Sequence, residues 1–125
     1  MKGFQDSNKK NQNIRKRDLS LDLNENLNLY NKALKLQNKG NFVQAANIYS
    51  ILFRNNFRTE EFFLNYSTVC QYLRDTNSSI LLLKEAIKIN PKNFIPFFKM
   101  GFILNNKGSF YEAYPFAKKA IELEP

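Results

Sequence analysis

The stretch that decides the fold is residues 94–125, which read FIPFFKMGFILNNKGSFYEAYPFAKKAIELEP. Apolar residues recur at helical spacing over 97–104 and again over 110–121, and this period predicts two amphipathic helices. A polar run separates them, and Ser109 followed by Glu112 forms a capping-box pattern that starts the second helix. Because such a hairpin cannot bury its apolar face alone, we expect it to stack on similar units.

The same residue types return at a spacing of 34 residues or twice that spacing. The matching pairs are Gly40 with Gly108, Phe42 with Phe110, Ala45 with Ala113, Ala86 with Ala120, and Pro91 with Pro125. This pattern resembles the tetratricopeptide repeat (TPR) family, whose repeat has 34 residues with small residues at fixed points. The resemblance implies an all-α fold, an α-solenoid of antiparallel helix hairpins that forms a TPR superhelix. The implied repeats are 26–59, 60–93 and 94–125.

Two substitutions at the fixed points predict local departures from the pattern. Phe57 stands where the family has proline, so we expect the first repeat to end less sharply. Arg74 replaces the turn glycine of the second repeat, so we expect altered turn geometry over 74–77. In the same repeat the predicted packing stripe of the first helix consists of Phe63, Tyr66, Ser67 and the single cysteine, Cys70.

Residues 1–25 are predicted to be a disordered basic tail, because they are polar and hold too few apolar residues to form a buried face. The whole chain has a net charge of +8, and a cluster of Arg15, Lys16 and Arg17 lies in this tail. Such clusters bind the phosphates of nucleic acid or of an anionic membrane surface. No aromatic residue interrupts the cluster, so nucleic acid is not the expected partner and a solubilising arm is favoured.

The composition argues against catalysis within these residues. The chain has no histidine, a single cysteine and no glycine-rich phosphate loop. It therefore lacks an imidazole base and the ligands of a zinc site, and we expect no enzyme activity, no cofactor and no metal. Because no run of about 18 apolar residues occurs, a transmembrane helix and a secretory signal are not expected, and the cytoplasm is the expected location.

An array of this kind normally continues into a further hairpin or a polar capping helix. We therefore expect residues 1–125 to be the N-terminal part of a longer bacterial TPR protein. The resemblance leaves open a downstream transferase, glycosyl- or sulfotransferase-like, to which the array would present substrate. The other expectation is that the open C-terminal edge, which includes Phe116 and Ile121, is covered by a second copy or by a partner.

The resemblance also implies that the first helix of each hairpin lines a concave groove that holds a peptide. The groove residues implied here are Tyr30, Asn31, Leu34, Gln37, Asn38, Leu64, Asn65, Gln71, Tyr72, Phe98, Lys99, Phe102 and Asn105. One row of amides is formed by Gln37, Gln71 and Asn105, and a second row, Asn31 and Asn65, ends in Lys99. Side-chain amides both donate and accept hydrogen bonds, so they can bind a peptide backbone without reading its sequence. We therefore predict a protein-interaction scaffold that binds a peptide or protein segment.

The carboxylate clamp, by which some TPR proteins hold the C-terminal acid of chaperone tails, is a more specific possibility. Its five positions correspond here to residues 30, 34, 65, 95 and 99, and only Asn65 and Lys99 fit. The paired cations that would hold a carboxylate are absent, so a receptor for chaperone tails is not expected.

Overall fold

Residues 22–124 are described by the computed structural model, and they form six helices. These are α1 (22–38), α2 (Phe42–Arg54), α3 (Glu60–Tyr72), α4 (Thr76–Ile89), α5 (Phe94–Asn106) and α6 (Phe110–Leu123). Consecutive helices pair as three hairpins, and α2 packs against α3 as α4 packs against α5. The hairpins therefore stack in chain order, as in a solenoid. Residues 22–25 are helical and belong to α1, whereas the rest of the predicted tail lies outside the described residues.

The apolar core consists of two clusters, each of which includes residues of two neighbouring hairpins. The first cluster surrounds Tyr49 and Phe62, both fully buried. The ring of Phe62 lies 5.7 Å from that of Tyr49 and 5.3 Å from that of Phe63. The second cluster brings Leu83 of α4 against Met100 of α5 and its neighbours. In α3 the predicted packing stripe is largely buried, but Phe62, at the centre of the first cluster, was not part of that prediction.

A small residue lets the two helices of the third hairpin approach closely. Gly101 of α5 is buried, and a Cβ atom placed on it would lie 3.3 Å from the backbone nitrogen of Ala117 in α6. Ser67 and Ala33 occupy the same position in the preceding repeats, and both are fully buried. The small-residue points of the repeat therefore lie where the paired helices are closest.

The turn at Arg74 has the geometry of the glycine turns, so the expectation of altered geometry is wrong. Its φ is 62°, compared with 82° at Gly40 and 86° at Gly108. The N–H of Asp75 donates to the carbonyl of Cys70 at 2.8 Å, the long hydrogen bond of a Schellman motif. The last carbonyls of α3 require these donors, so the chain keeps the left-handed conformation even though an arginine must adopt it.

The first repeat also ends sharply, contrary to the expectation drawn from Phe57. Helix α2 stops at Arg54, and Asn56 takes the left-handed conformation with φ 65°. The N–H of Phe57 then donates to the carbonyl of Leu52 at 3.0 Å. The ring of Phe57 is buried and lies 5.3 Å from that of Phe62. Phe57 thus provides the hydrophobic contact that accompanies a Schellman motif and ends the helix without a proline.

The helix starts are capped by side chains at some hairpins and not at others. Thr59 accepts from the backbone N–H of Phe62 at 3.1 Å, and Asp75 caps α4 in the same way. Ser109 occupies the N-cap position of α6 but makes no side-chain cap hydrogen bond, so the predicted capping box with Glu112 is not formed. Ser109 has ψ 65°, far from the extended backbone of Thr59, and its short hydroxyl does not reach the helix from there.

Candidate functional site

The predicted groove residues lie on α1, α3 and α5, which we call the inner helices. Two hydrogen bonds connect these helices directly. Asn65 Nδ2 donates to the hydroxyl of Tyr30 at 2.9 Å, and Lys99 Nζ donates to Thr68 Oγ1 at 3.0 Å. The inner helices therefore lie side by side, and the residues that they present form one continuous surface, the inner surface.

The amides of this surface differ in how much of their hydrogen-bonding capacity is already used. Asn31 and Asn105 are exposed. Gln37 Oε1 accepts from the hydroxyl of Tyr49 at 2.6 Å, and Asn65 uses its NH₂ group on Tyr30, as described above. Asn65 Oδ1 is still an acceptor and Gln37 Nε2 still a donor, so both amides keep one half for a ligand. The other amides predicted for the groove are Asn38, which is exposed, and Gln71, which is half-buried.

Tyr30 is a core residue rather than an open groove residue, and the prediction is corrected here. Its exposed fraction is 7%, and its ring lies 5.5 Å from that of Phe57 and 6.3 Å from that of Phe62. Burial raises the pKa of its hydroxyl. The two neighbouring aromatic rings fill the space into which Tyr30 points. Leu34 and Leu64 are half-buried and pack against the same cluster, so they too hold hairpins together.

Three aromatic residues of the predicted groove are exposed. Tyr72 stacks on Phe42 of α2 with ring centroids 4.3 Å apart and planes 5° from parallel. Phe98 and Phe102, about 60% exposed, line a cavity of about 340 Å³ between α5 and α6. They therefore lie on the third hairpin's surface between these two helices, which we call the terminal face. Its main residues are Phe98, Phe102, Asn105, Phe110, Tyr114 and Ala117.

Lys99 is the charged residue of the inner surface with the most distinctive surroundings. It is half-buried, and desolvation lowers the pKa of its ammonium group. Its hydrogen-bond partner is the neutral hydroxyl of Thr68. Among residues 22–124 the ion pair within 4.0 Å is Lys88 with Glu85, on α4, so no described carboxylate neutralises Lys99. A partly desolvated cation of this kind favours an anionic ligand group.

The described residues show neither a metal centre nor a membrane span. Between residues 22 and 124, no three His, Cys, Asp or Glu side chains come together as a metal site would require. Over the same range no helix combines the length and the apolar character needed to cross a bilayer. Cys70 is buried, and burial, with a smaller effect of Asp75, raises the pKa of its thiol to about 11. The thiol is therefore neutral and unreactive at physiological pH.

Solved structures with a similar fold include three helical proteins. The chaperone SycD of Yersinia enterocolitica, in complex with a peptide of the translocator YopD, is 22% identical with a TM-score of 0.71, over 78% of this chain and 74% of that chain. MamA is 18% identical with a TM-score of 0.76, over 88% and 64%. The TPR domain of Sgt2 from Aspergillus fumigatus is 14% identical with a TM-score of 0.68, over 80% and 66%.

No protein-family model and no curated protein matches the sequence. The structural similarity nevertheless confirms the predicted fold, an all-α solenoid of three TPR-type hairpins. At these levels of identity the similarity concerns the fold alone.

Proposed function

We propose that the chain is a protein-interaction scaffold that binds an extended, acidic segment of another protein along its inner surface. The observation that carries the proposal is Lys99, a half-buried cation with no carboxylate partner among the described residues, flanked by amides on the neighbouring helices. An internal hydrogen bond to a neutral hydroxyl does not compensate its desolvation, whereas a ligand carboxylate would.

The charge distribution of the first hairpin favours the same ligand. Residues 26–59 contain no acid, and α1 carries Lys32, Lys35 and Lys39, all exposed. Their positive field attracts an acidic segment towards the inner helices and raises its association rate. The exposed amide of Asn31 and the free oxygen of Asn65 would then bind the backbone of that segment. SycD, which shares the fold, was solved with a peptide bound, and this supports a peptide as the ligand class.

The test begins with a peptide selected from a displayed random library on immobilised chain 1–125. Its affinity is then measured by fluorescence anisotropy for the wild type and for Lys99→Gln. A hydrogen bond to a charged group contributes about 1.5–3 kcal/mol, so the dissociation constant of Lys99→Gln is expected to rise roughly 10- to 100-fold. The affinity of the wild type should also decrease with added salt.

Lys84→Gln is the matched control, because Lys84 is exposed on α4 and outside the inner helices. It removes the same charge, so it should lower the affinity at most a few-fold through the long-range field. Equal losses in both variants would reduce Lys99 to a general charge effect. An acidic peptide that binds Lys99→Gln as tightly as the wild type would contradict the proposal, as would a library that yields no acidic peptides.

A further inference from the structure

The terminal face is an apolar surface on which exposed aromatic side chains are concentrated. The exposed fractions are 60% for Phe98, 58% for Phe102, 64% for Phe110 and 69% for Tyr114. None of the residues that line the cavity between α5 and α6 is charged. Aromatic side chains without charges are typical of the centre of a protein interface rather than of a free surface.

The preceding hairpins show what this face does inside the array, because the same repeat positions are covered there. Phe98 corresponds to Tyr30, which is only 7% exposed. Ala117, exposed on α6, corresponds to Tyr49 and Leu83, which are both fully buried. Tyr49 is covered by residues of α3 and Leu83 by residues of α5, so each covering helix belongs to the next hairpin. The terminal face therefore continues an interface that the protein already uses twice.

A second copy of the chain cannot cover this face by placing its own α1 in the position of a next hairpin. In α5 the residues that dock on the preceding hairpin include Met100 and Ile103, both buried. At the same repeat positions α1 carries Lys32 and Lys35, both exposed. Docking α1 would bury two ammonium groups in an apolar face, at a cost of several kcal/mol for each. Head-to-tail stacking, which would produce filaments, is thus disfavoured.

The arrangement that remains for two copies is a closed pair in which each terminal face covers the other. We infer that the chain forms a two-fold symmetric homodimer through its terminal faces. Because the face lacks charges, no like charges oppose each other across the two-fold axis. The hydroxyl of Tyr114 and the amide of Asn105 supply hydrogen-bonding groups among the apolar residues.

The exposed area predicts a weak dimer. With roughly 200 Å² for a fully exposed aromatic residue, the four aromatic residues expose roughly 500 Å² per copy. Two copies would bury on the order of 1,000 Å², at the lower limit for a specific interface. The dimer should therefore dissociate on dilution. It does not depend on the peptide ligand proposed above.

The test is sedimentation equilibrium of chain 1–125 over about 5 to 500 μM, a range that covers weak association. The expected result is a mass that rises from 14.7 kDa towards twice that value and no further. Tyr114→Glu places a carboxylate in each apolar face and should raise the dimer dissociation constant at least about tenfold. Circular dichroism should show unchanged helicity, since residue 114 is exposed.

Val43→Glu is the matched control, because Val43 is 63% exposed on α2. Its equivalents in the other repeats, Asn77 and Tyr111, are also exposed, so this position lies outside the stacking interface. The control should dimerise like the wild type. A monomer at every concentration would overturn the inference. A mass beyond that of a dimer would overturn the two-fold arrangement, and a dimer that survives Tyr114→Glu unchanged would overturn its location.

Discussion

Replacing Arg74 with glycine is expected to stabilise the protein, although the substitution removes a side chain and adds none. Arg74 is exposed and holds a left-handed backbone conformation with φ 62°. This conformation costs an L-residue about 1–2 kcal/mol, whereas glycine adopts it freely. Glycine also loses more entropy on folding, by about 0.5–1 kcal/mol. The difference predicts a gain in the free energy of unfolding of about 0.5–1 kcal/mol, or roughly 2–8 °C in Tm.

The assay is urea unfolding followed by circular dichroism at 222 nm, with Arg74→Ala as the control. Alanine retains the conformational cost of a non-glycine residue, so Arg74→Ala should change the free energy of unfolding by less than about 0.5 kcal/mol. Gly40→Ala and Gly108→Ala test the converse, since a Cβ at either glycine meets no atom within 4 Å. Each should lose about 0.5–1 kcal/mol through backbone strain alone. If Arg74→Gly were no more stable than Arg74→Ala, the turn would not be strained and the reasoning would be refuted.

Two further predictions concern buried residues of the first cluster. Phe62→Ala should lower the free energy of unfolding by about 3–5 kcal/mol, because Phe62 is fully buried, whereas Phe98→Ala at an exposed position should change it by less than about 1 kcal/mol; similar losses in urea unfolding would contradict this. Burial raises the pKa of the Cys70 thiol from 9.0 to about 11, so its neutral form stabilises the fold below pH 9 and that contribution is lost as the pH rises towards 11. The stability difference between the wild type and Cys70→Ala should therefore decrease over this range, and a constant difference would contradict the burial of the thiol.

The fold was predictable because its signals are local. The apolar period within 94–125 and its return after 34 residues predict paired helices and their stacking. Helices α3 and α5 begin at Glu60 and Phe94, the residues at which the second and third repeats were placed. Local chemistry was less informative at the turns. Arg74 suggested a different turn, but the carbonyls at the end of α3 require the same hydrogen bonds whichever residue supplies them.

The candidate site was harder to predict, because the orientation of a helical residue depends on the rotation of each hairpin against its neighbours. Phe62 and Phe63 are adjacent aromatic residues, and the period alone did not show that Phe62 forms the centre of a cluster. Tyr30 and Phe98 occupy the same repeat position, yet one is buried by the next hairpin and the other is exposed on the terminal face. The desolvation of Lys99 likewise follows from the packing of α3 against its neighbours rather than from the sequence pattern.

The most direct test of the central claim, that the inner surface binds a protein segment, is a nuclear magnetic resonance titration. The ¹⁵N-labelled chain would be titrated with the peptide selected from the library. The account predicts chemical-shift changes along α1, α3 and α5, with the side-chain amide signals of Asn31 and Asn65 among the largest. Changes confined to α2 and α4, with the inner helices unaffected, would contradict it.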